Sequence, residues 1–231
     1  MHCRKCGSEA FVKNGFMAGA QRYKCKECGF QFTRDTPHGR PLKDKILALI
    51  LYLSGLSMNM IGKIIGVSTQ SVMRWIKMFY EKFASEDDLK SNIEEIEVDE
   101  MVSFLTKKDY VWIWKAIDHN TRKLIGWECG DRSSKTLTKF FDRLNLWRAQ
   151  RVYSDFYVCY SEVIGNQRLR QGKQNTYKIE QNNSLQRHWL GRFRRRTRIV
   201  TRSLDMLEKS LALFQRFRIN GQIEELISLI R

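Results

Sequence analysis

Between Tyr177 and Arg198, Glu180 is the one acid among Lys178, Arg187, Arg192, Arg194, Arg195, Arg196 and Arg198. A surface that holds a polyanion gains from each cation through counterion release, and a carboxylate in it weakens the grip. Its presence there points to chemistry. Two further acids stand at comparable stations: Asp99 closes the segment Ile93 to Asp99, and Asp155 closes Arg151 to Asp155, both read as strands. If those strands are neighbours in a mixed sheet, their ends lie side by side, and a helix packed across them adds Glu180. Three carboxylates alone would raise one another's pKa. Two divalent cations held ~4 Å apart would remove that penalty, activate a water or a 3'-hydroxyl and stabilise a leaving oxygen. Oxygen ligands favour Mg or Mn over zinc, so the implied chemistry is metal-assisted cleavage or joining of phosphodiesters. Glu97 on the same strand face, Glu100 beside it and Asp118 at a strand-turn junction are rivals, and the residues alone do not separate Asp99 from Glu97. Arg187 suits a phosphate, or is one more basic surface residue.

A second constellation opens the chain. Cys3-x-x-Cys6 and Cys25-x-x-Cys28, each followed by glycine, enclose a hairpin-like middle with Asn14-Gly15 and Gly19. Doubled pairs at this separation present four thiolates to one tetrahedral Zn with no open position, which makes the site structural. A redox pair or an iron-sulfur cluster is the alternative reading. Cys129 and Cys159 stand apart and read as ordinary buried thiols, and His2 and His38 as surface residues.

Other elements must position these groups. Residues 1–36 form the expected zinc ribbon, and Arg34 to Pro41, with both prolines, reads as a linker. Residues 42–84 are helical, with an apolar stripe Ile46, Leu49, Ile50, Leu53, then a second, Ile61, Ile64, Ile65. A third helix opens at Ser68 and buries Val72, Trp75, Ile76 and Phe79. It leaves Thr69, Gln70, Ser71, Arg74 and Lys77 outward. That is the helix-turn-helix pattern, with the last helix entering the major groove; a plain helical hairpin is the alternative. Residues 93–231 read as strand, strand, strand, helix, strand, helix. Ser134 is expected to cap the first of those helices. On the second, Glu180, Arg187, Gly191 and Arg194 share a face opposite Leu185, Trp189 and Phe193, the expected core side. The last eleven residues, from Gly221, read as a short amphipathic helix or as readthrough.

The formal net charge of +16 over 231 residues calls for a polyanionic partner, and 42% hydrophobic residues suffice for a core. No apolar run approaches the ~20 residues that span a bilayer. The expected setting is the cytoplasm, on the nucleoid, with double-stranded DNA as partner and no membrane.

Taken together, these motifs resemble the transposases of the IS1 insertion-sequence family. The resemblance is carried by the doubled Cys-x-x-Cys, Val98-Asp99-Glu100 ahead of the paired-tryptophan strand, Gly130-Asp-Arg-Ser133, Ser154-Asp155 with Tyr160, and Tyr177-Lys-Ile-Glu180-x-x-Asn183-x-Leu185-x-Arg187. It runs from Cys3 to about Asn220, and departs at Val102, where an aromatic residue is common. It implies an α+β multi-domain chain whose third part is a ribonuclease-H-like catalytic domain with a triad of Asp99, Asp155 and Glu180, assisted by Arg187. The residues themselves add Mg or Mn at that triad, the outward Thr69, Gln70, Ser71, Arg74 and Lys77 on DNA, and the basic run Arg192, Arg194, Arg195, Arg196, Arg198 on the phosphates of the strand to be cut. A homodimer or higher oligomer would act on two transposon ends. A DNA-binding regulator that has lost catalysis, and a nuclease that cuts without joining, are the competing readings.

Overall fold

The computed structural model describes residues 1–3, 5–17, 19–33, 40–83, 93–106, 108–194, 197, 199 and 202–228. Most of the linker, Lys107 and the expected DNA contacts Arg195, Arg196 and Arg198 lie outside the described residues. Contacts divide the chain into two compact units, Met1–Pro41 and Leu42–Arg231.

In the first unit, β1 (Phe11–Met17), β2 (Ala20–Cys25) and β3 (Gln31–Thr33) form an antiparallel sheet in the order β1-β2-β3. Its core is little more than Tyr23 and Phe32 with Phe11 and the cysteines. So few apolar side chains cannot offset the ordering of a segment this short without a further cross-link.

The second unit begins with α1 (Leu42–Leu53), α2 (Met58–Ile65) and α3 (Thr69–Phe83). Ser57 caps α2 by accepting from the Met60 amide, and Gly66 ends it in the left-handed conformation. Ser68 accepts from the Ser71 amide at the start of α3. Ile46, Leu49, Leu53, Ile61, Val72, Ile76 and Phe79 are buried as their spacing predicts, whereas Ile64 is exposed and Trp75 half-buried.

The sheet follows: β4 (Glu95–Phe104), β5 (Tyr110–Asp118), β6 (Leu124–Gly130), β7 (Arg151–Ser154) and β8 (Leu169–Gln171), in the order β6-β5-β4-β7-β8. The first three strands are an antiparallel meander, and β7 and β8 run parallel to β4. The first and fourth strands are therefore adjacent. Side chains alternate across β4, so Ile96, Val98 and Glu100 face one layer while Glu97, Asp99 and Met101 face the other. The first layer holds α4 (Ser134–Arg143) and α5 (Val158–Ile164), around Leu137, Phe140, Phe141 and Tyr160. The second holds α6 (Tyr177–Trp189), α7 (Leu204–Phe214) and the three N-terminal helices. A short α8 (Ile223–Ser228) closes the unit and buries Leu226. Met101, Val111 and Ile113 of the sheet share one core with Leu49, Ile76, Leu207 and Phe214. The segments 42–84 and 93–231, expected as separate domains, thus lie in one compact unit.

Three local readings need correction. The helix α4 is capped by Ser133, not Ser134, because it is the Ser133 hydroxyl that accepts from the Thr136 amide. The helix α5 and the strand β8 were not foreseen: each is short, and a strand of three residues carries no readable alternation. Finally, α6 does not bury Leu185, which is 40% exposed; it buries Ile179, Asn182, Asn183 and Gln186. The helix also stops at Trp189, so Gly191 and Arg194 do not continue its face.

Glycine accounts for the stop. The backbone after α6 is pressed onto the α1–α2 turn: a Cβ on Gly55 would meet the Trp189 carbonyl oxygen at 2.7 Å, and one on Gly191 the Gly55 carbonyl oxygen at 2.6 Å. Arg218 reinforces the contact, stacking over Trp189 at 4.1 Å and donating to the Ser54 hydroxyl at 2.7 Å.

Candidate functional site

The residues of greatest interest meet where β7 runs out beside the middle of β4; Asp99 does not close its strand as expected, since β4 continues in its ladder with β5 to Phe104. Pairing of Glu97 with Tyr153 in the parallel ladder places Asp99 and Asp155 two positions further on, at the same level. Their charges feel one another. Burial pushes the Asp99 carboxyl up to about 7, and Glu100 and Asp155 add to the shift. Asp155 is half-buried, and its Oδ1 accepts from the Tyr157 amide at 2.9 Å. Glu180 lies in the first turn of α6, exposed, with Thr176 Oγ1 at 3.5 Å from its Oε1. The helix reaches the aspartates through Asn183, one turn on, whose Nδ2 donates to Asp99 Oδ2 at 2.6 Å. Asp99 and Asp155 are brought together, and Glu180 stands on the adjoining helix.

The rival acids are each committed elsewhere. Glu97 is fully buried, with His119 Nδ1 at 2.8 Å from Oε1 and the Ile179 amide donating to Oε2 at 2.9 Å, so it ties β4 to the start of α6. Glu100 points into the opposite layer, accepting from Arg132 and, at 2.6 Å, from the Tyr160 hydroxyl. Arg132 is in turn held between the rings of Trp112 and Tyr157. Asp118 caps its turn, accepting from the Asn120 and Thr121 amides. Hydrogen-bond bookkeeping separates Asp99 from Glu97, which alternation along one strand could not do.

The site has a member that the sequence reading missed. Lys115, paired with Asp99 across the β4–β5 ladder, is fully buried. Its Nζ donates to Asn183 Oδ1 and Gln186 Oε1, each at 2.8 Å, and to Asn182 Oδ1. An ammonium only donates, so the atoms facing it must be amide oxygens, and the Asn183 NH2 is thereby turned toward Asp99. Burial pulls the Lys115 ammonium down to about 7; Asp99 opposes that shift and the Arg187 charge adds to it. Arg187, half-buried on α6, is therefore within electrostatic reach of this network. The available signal was a lone lysine in the run Val111-Trp-Ile-Trp-Lys115-Ala-Ile117: a central strand covered on both faces has no solvent for it.

Of the expected DNA contacts, Thr69, Gln70 and Arg74 are exposed on α3 and Ser71 is half-buried. Lys77 lies 3.4 Å from Asp205 of α7. Arg192 stacks over Tyr52 at 4.6 Å, and Arg194 donates to the His188 carbonyl at 3.1 Å. No helix among the described residues is long and apolar enough to cross a membrane.

In the first unit, Cys3 and Cys28 have sulfurs 3.6 Å apart, as have Cys6 and Cys25, and all four Sγ atoms lie within 4.8 Å of one another. This is the one such cluster among the described residues, and it could hold a metal such as zinc. Crowding splits the thiols: burial pushes Cys3 up, but the Cys6 and Lys5 amides with the neighbouring thiols outweigh it and bring it down to about 6. At Cys6 the Ser8 amide lowers the pKa, yet the other thiols and burial carry it up to about 12.

Comparison with known proteins agrees with this layout. The IS1 transposase family matches residues 93–219, which span the sheet, both aspartates and α6. The insertion element iso-IS1n protein InsB of Shigella dysenteriae is 28% identical over 119 residues, covering 51% of this chain and 91% of that protein. Solved structures include the Mos1 mariner paired end complex with Mn, at TM-score 0.35 and 11% identity, covering 85% of this chain and 81% of that one. A pre-cleavage Mos1 transpososome gives 0.34, with 86% and 82% covered. Likeness at that level is too slight to define the fold. The family match extends over more than half of the chain and takes in Asp99, Asp155, Glu180 and Arg187: the chain belongs to the IS1 transposase family.

Proposed function

We propose that this transposase binds the terminal inverted repeats of its element, cleaves at their 3' ends and joins them to target DNA by two-metal phosphoryl transfer. The observation that carries the reading is the juxtaposition of Asp99, in the middle of β4, with Asp155, just past the end of the parallel β7, with α6 bound to Asp99 through Asn183 and bearing Glu180 one turn earlier. Glu97 and Glu100 have both carboxylate oxygens engaged in hydrogen bonds within the fold, whereas the bonds of Asp155 and Glu180 among the described residues engage one oxygen of each. The strand order, with a central first strand flanked by its hairpin partner and a parallel fourth, is the arrangement expected of a ribonuclease-H-like catalytic domain. Asp99, Asp155 and Glu180 would hold Mg or Mn. The bound cations supply a lowered-pKa water or 3'-hydroxyl and a Lewis acid for the phosphoryl oxygens. Asn183 keeps Asp99 aimed, Arg187 neutralises phosphate charge, and the buried side of α6 fixes where its exposed side presents Glu180.

Zinc at Cys3, Cys6, Cys25 and Cys28 would hold the ribbon closed. The ribbon and the helix-turn-helix would read DNA, the latter through Thr69, Gln70, Ser71 and Arg74. Lys77, held by Asp205, should matter less: Arg74→Ala is expected to weaken end binding at least tenfold more than Lys77→Ala in a gel-shift titration at fixed salt. The protein would work on DNA in the cytoplasm, as a homodimer or larger assembly spanning two ends.

The deciding experiment incubates the purified chain with labelled transposon ends and Mg or Mn. Asp155→Asn should reduce cleavage and joining by roughly a thousandfold, on the scale of losing a charge-stabilising group, with end binding in EDTA unchanged. Parent-level products from that variant would sink the assignment.

A further inference from the structure

The exposed aromatic side chains are not scattered. In Leu42–Arg231 the exposed Phe, Tyr and Trp side chains among the described residues fall in two pairs: Phe104 (52% exposed) and Tyr110 (59%) face each other where β4 ends and β5 begins, and Phe156 (71%) and Tyr177 (51%) adjoin the acids. Phe156 directly follows Asp155, and Tyr177 precedes Glu180 by one helical turn. The two are joined through a short path. The Asp155 carbonyl accepts from Gln171 Nε2 and the Ser154 carbonyl from the Gly172 amide, each at 3.0 Å, and the turn Lys173–Asn175 then leads into α6. An aromatic ring left in water forgoes the gain of burial, and a cluster of such rings marks a surface with a partner.

We infer that Phe156 and Tyr177 stack on an unpaired nucleobase of the DNA end, holding it out of the duplex beside the strand that Asp99, Asp155 and Glu180 cut. The inference rests on the phosphoryl-transfer reading above. The occupant follows from charge and position: a chain of net charge +16 draws a polyanion, and the exposed Phe156 directly adjoins Asp155, where the strand to be cut would lie. Every base has a π-face, so stacking on such rings is tolerant of sequence, whereas a duplex presents only stacked bases and buries their faces. Extruding a nucleotide costs a few kcal/mol of unstacking and unpairing, least at a mismatch, and aromatic side chains that stack on the extruded base offset that cost. Lys178, beside Tyr177, donates to the His119 carbonyl while its ammonium lies 5.5 Å from the centroid of the Tyr177 ring, and that ring remains 51% exposed at the first turn of α6.

The test uses the full chain, its Phe156→Ala and Tyr177→Ala variants, and duplexes carrying the terminal inverted repeats, either fully paired or mismatched at one to three positions around the cleavage point. With Mn present, both variants should cut paired ends about tenfold or more slowly, the scale of one lost base-aromatic stack, and mismatches should restore most of the rate. In EDTA, the parent should bind mismatched ends more tightly than paired ones and the variants should not discriminate. Equal deficits on paired and mismatched ends, or parent-like cutting of paired ends, overturn the inference. A change of sedimentation on Phe156→Ala without DNA also overturns it, since the ring would then cover a contact between copies. Asp155→Asn, run alongside, separates the two claims: its activity on mismatched ends would refute the triad itself, whatever the aromatic variants do.

Discussion

Lys115→Met should cost the second unit about 3 to 5 kcal/mol of stability, the range seen when one partner of a buried charged network is removed. The methionine matches the lysine in length and adds no strain, but it leaves three amide oxygens, on Asn182, Asn183 and Gln186, without their donor. Each buried orphan costs about 1 to 3 kcal/mol; relief from burying an ammonium offsets part of the sum. Urea unfolding should show the midpoint falling at constant slope. The deficit also has a pH signature. Burial lowers Lys115 from its ordinary 10.5 to about 7, so between those values the folded chain binds fewer protons than the unfolded one. Stability from this group therefore rises with pH over that window and is lost as pH falls through the folded pKa. The variant lacks that rise, and the gap between parent and variant should widen from pH 7 to pH 9. A gap that narrows would mean that Lys115 is not buried as a charge carrier.

Removing metal from the cysteine cluster should have the larger effect, confined to Met1–Pro41. With a core of a few aromatic side chains, that unit has little to hold it besides a cross-link, and zinc on the four thiolates would supply on the order of 10 to 16 kcal/mol, as in comparable small sites. Chelation, or Cys25→Ser, should unfold the three-stranded sheet while Leu42–Arg231 melts where it did before. Amide hydrogen exchange resolves the two units: protection of β1 and β2 should vanish and that of β4 and β5 should persist. Binding releases protons from thiols such as Cys6, held up at about 12 in the metal-free cluster, so the apparent affinity should climb with pH. Retained protection in β2 after chelation would show that the sheet stands without metal.

How much of this was legible in the sequence depended on the range of the interaction. The cysteine pairs, the stripes of α1 and α3 and the end of β7 are local patterns, and local physics writes them directly, whereas β4, expected to end at Asp99, runs on to Phe104. The adjacency of Asp99 and Asp155 was legible too, because chain order and strand type restrict the sheets that can form. What failed was the orientation of α6. Periodicity put Leu185 and Trp189 inside, since apolar residues are the default core, yet the helix instead turns Asn182, Asn183 and Gln186 inward. The reason lies seventy residues away: a lysine in the middle of a covered strand requires oxygens, and no reading of α6 alone contains that requirement. Glu97 and Asp99 were inseparable for the same reason, since what distinguishes them is which one the Ile179 amide and His119 have already claimed.

The close approach of Gly55 and Gly191 gives the proposed reaction a ruler. The α1–α2 turn, which leads into the helices proposed to read DNA, and the end of α6, which bears Glu180, are pressed backbone to backbone, with no room for even a methyl group between them. On the proposed reading, the span from the bases met by α3 to the phosphate met by Asp99 and Asp155 is then a dimension of the folded protein and is not set by a slack tether. Cleavage should fall at a constant distance from the recognised sequence, and one base pair inserted between the two should move the cut relative to the element's end instead of being absorbed by the protein.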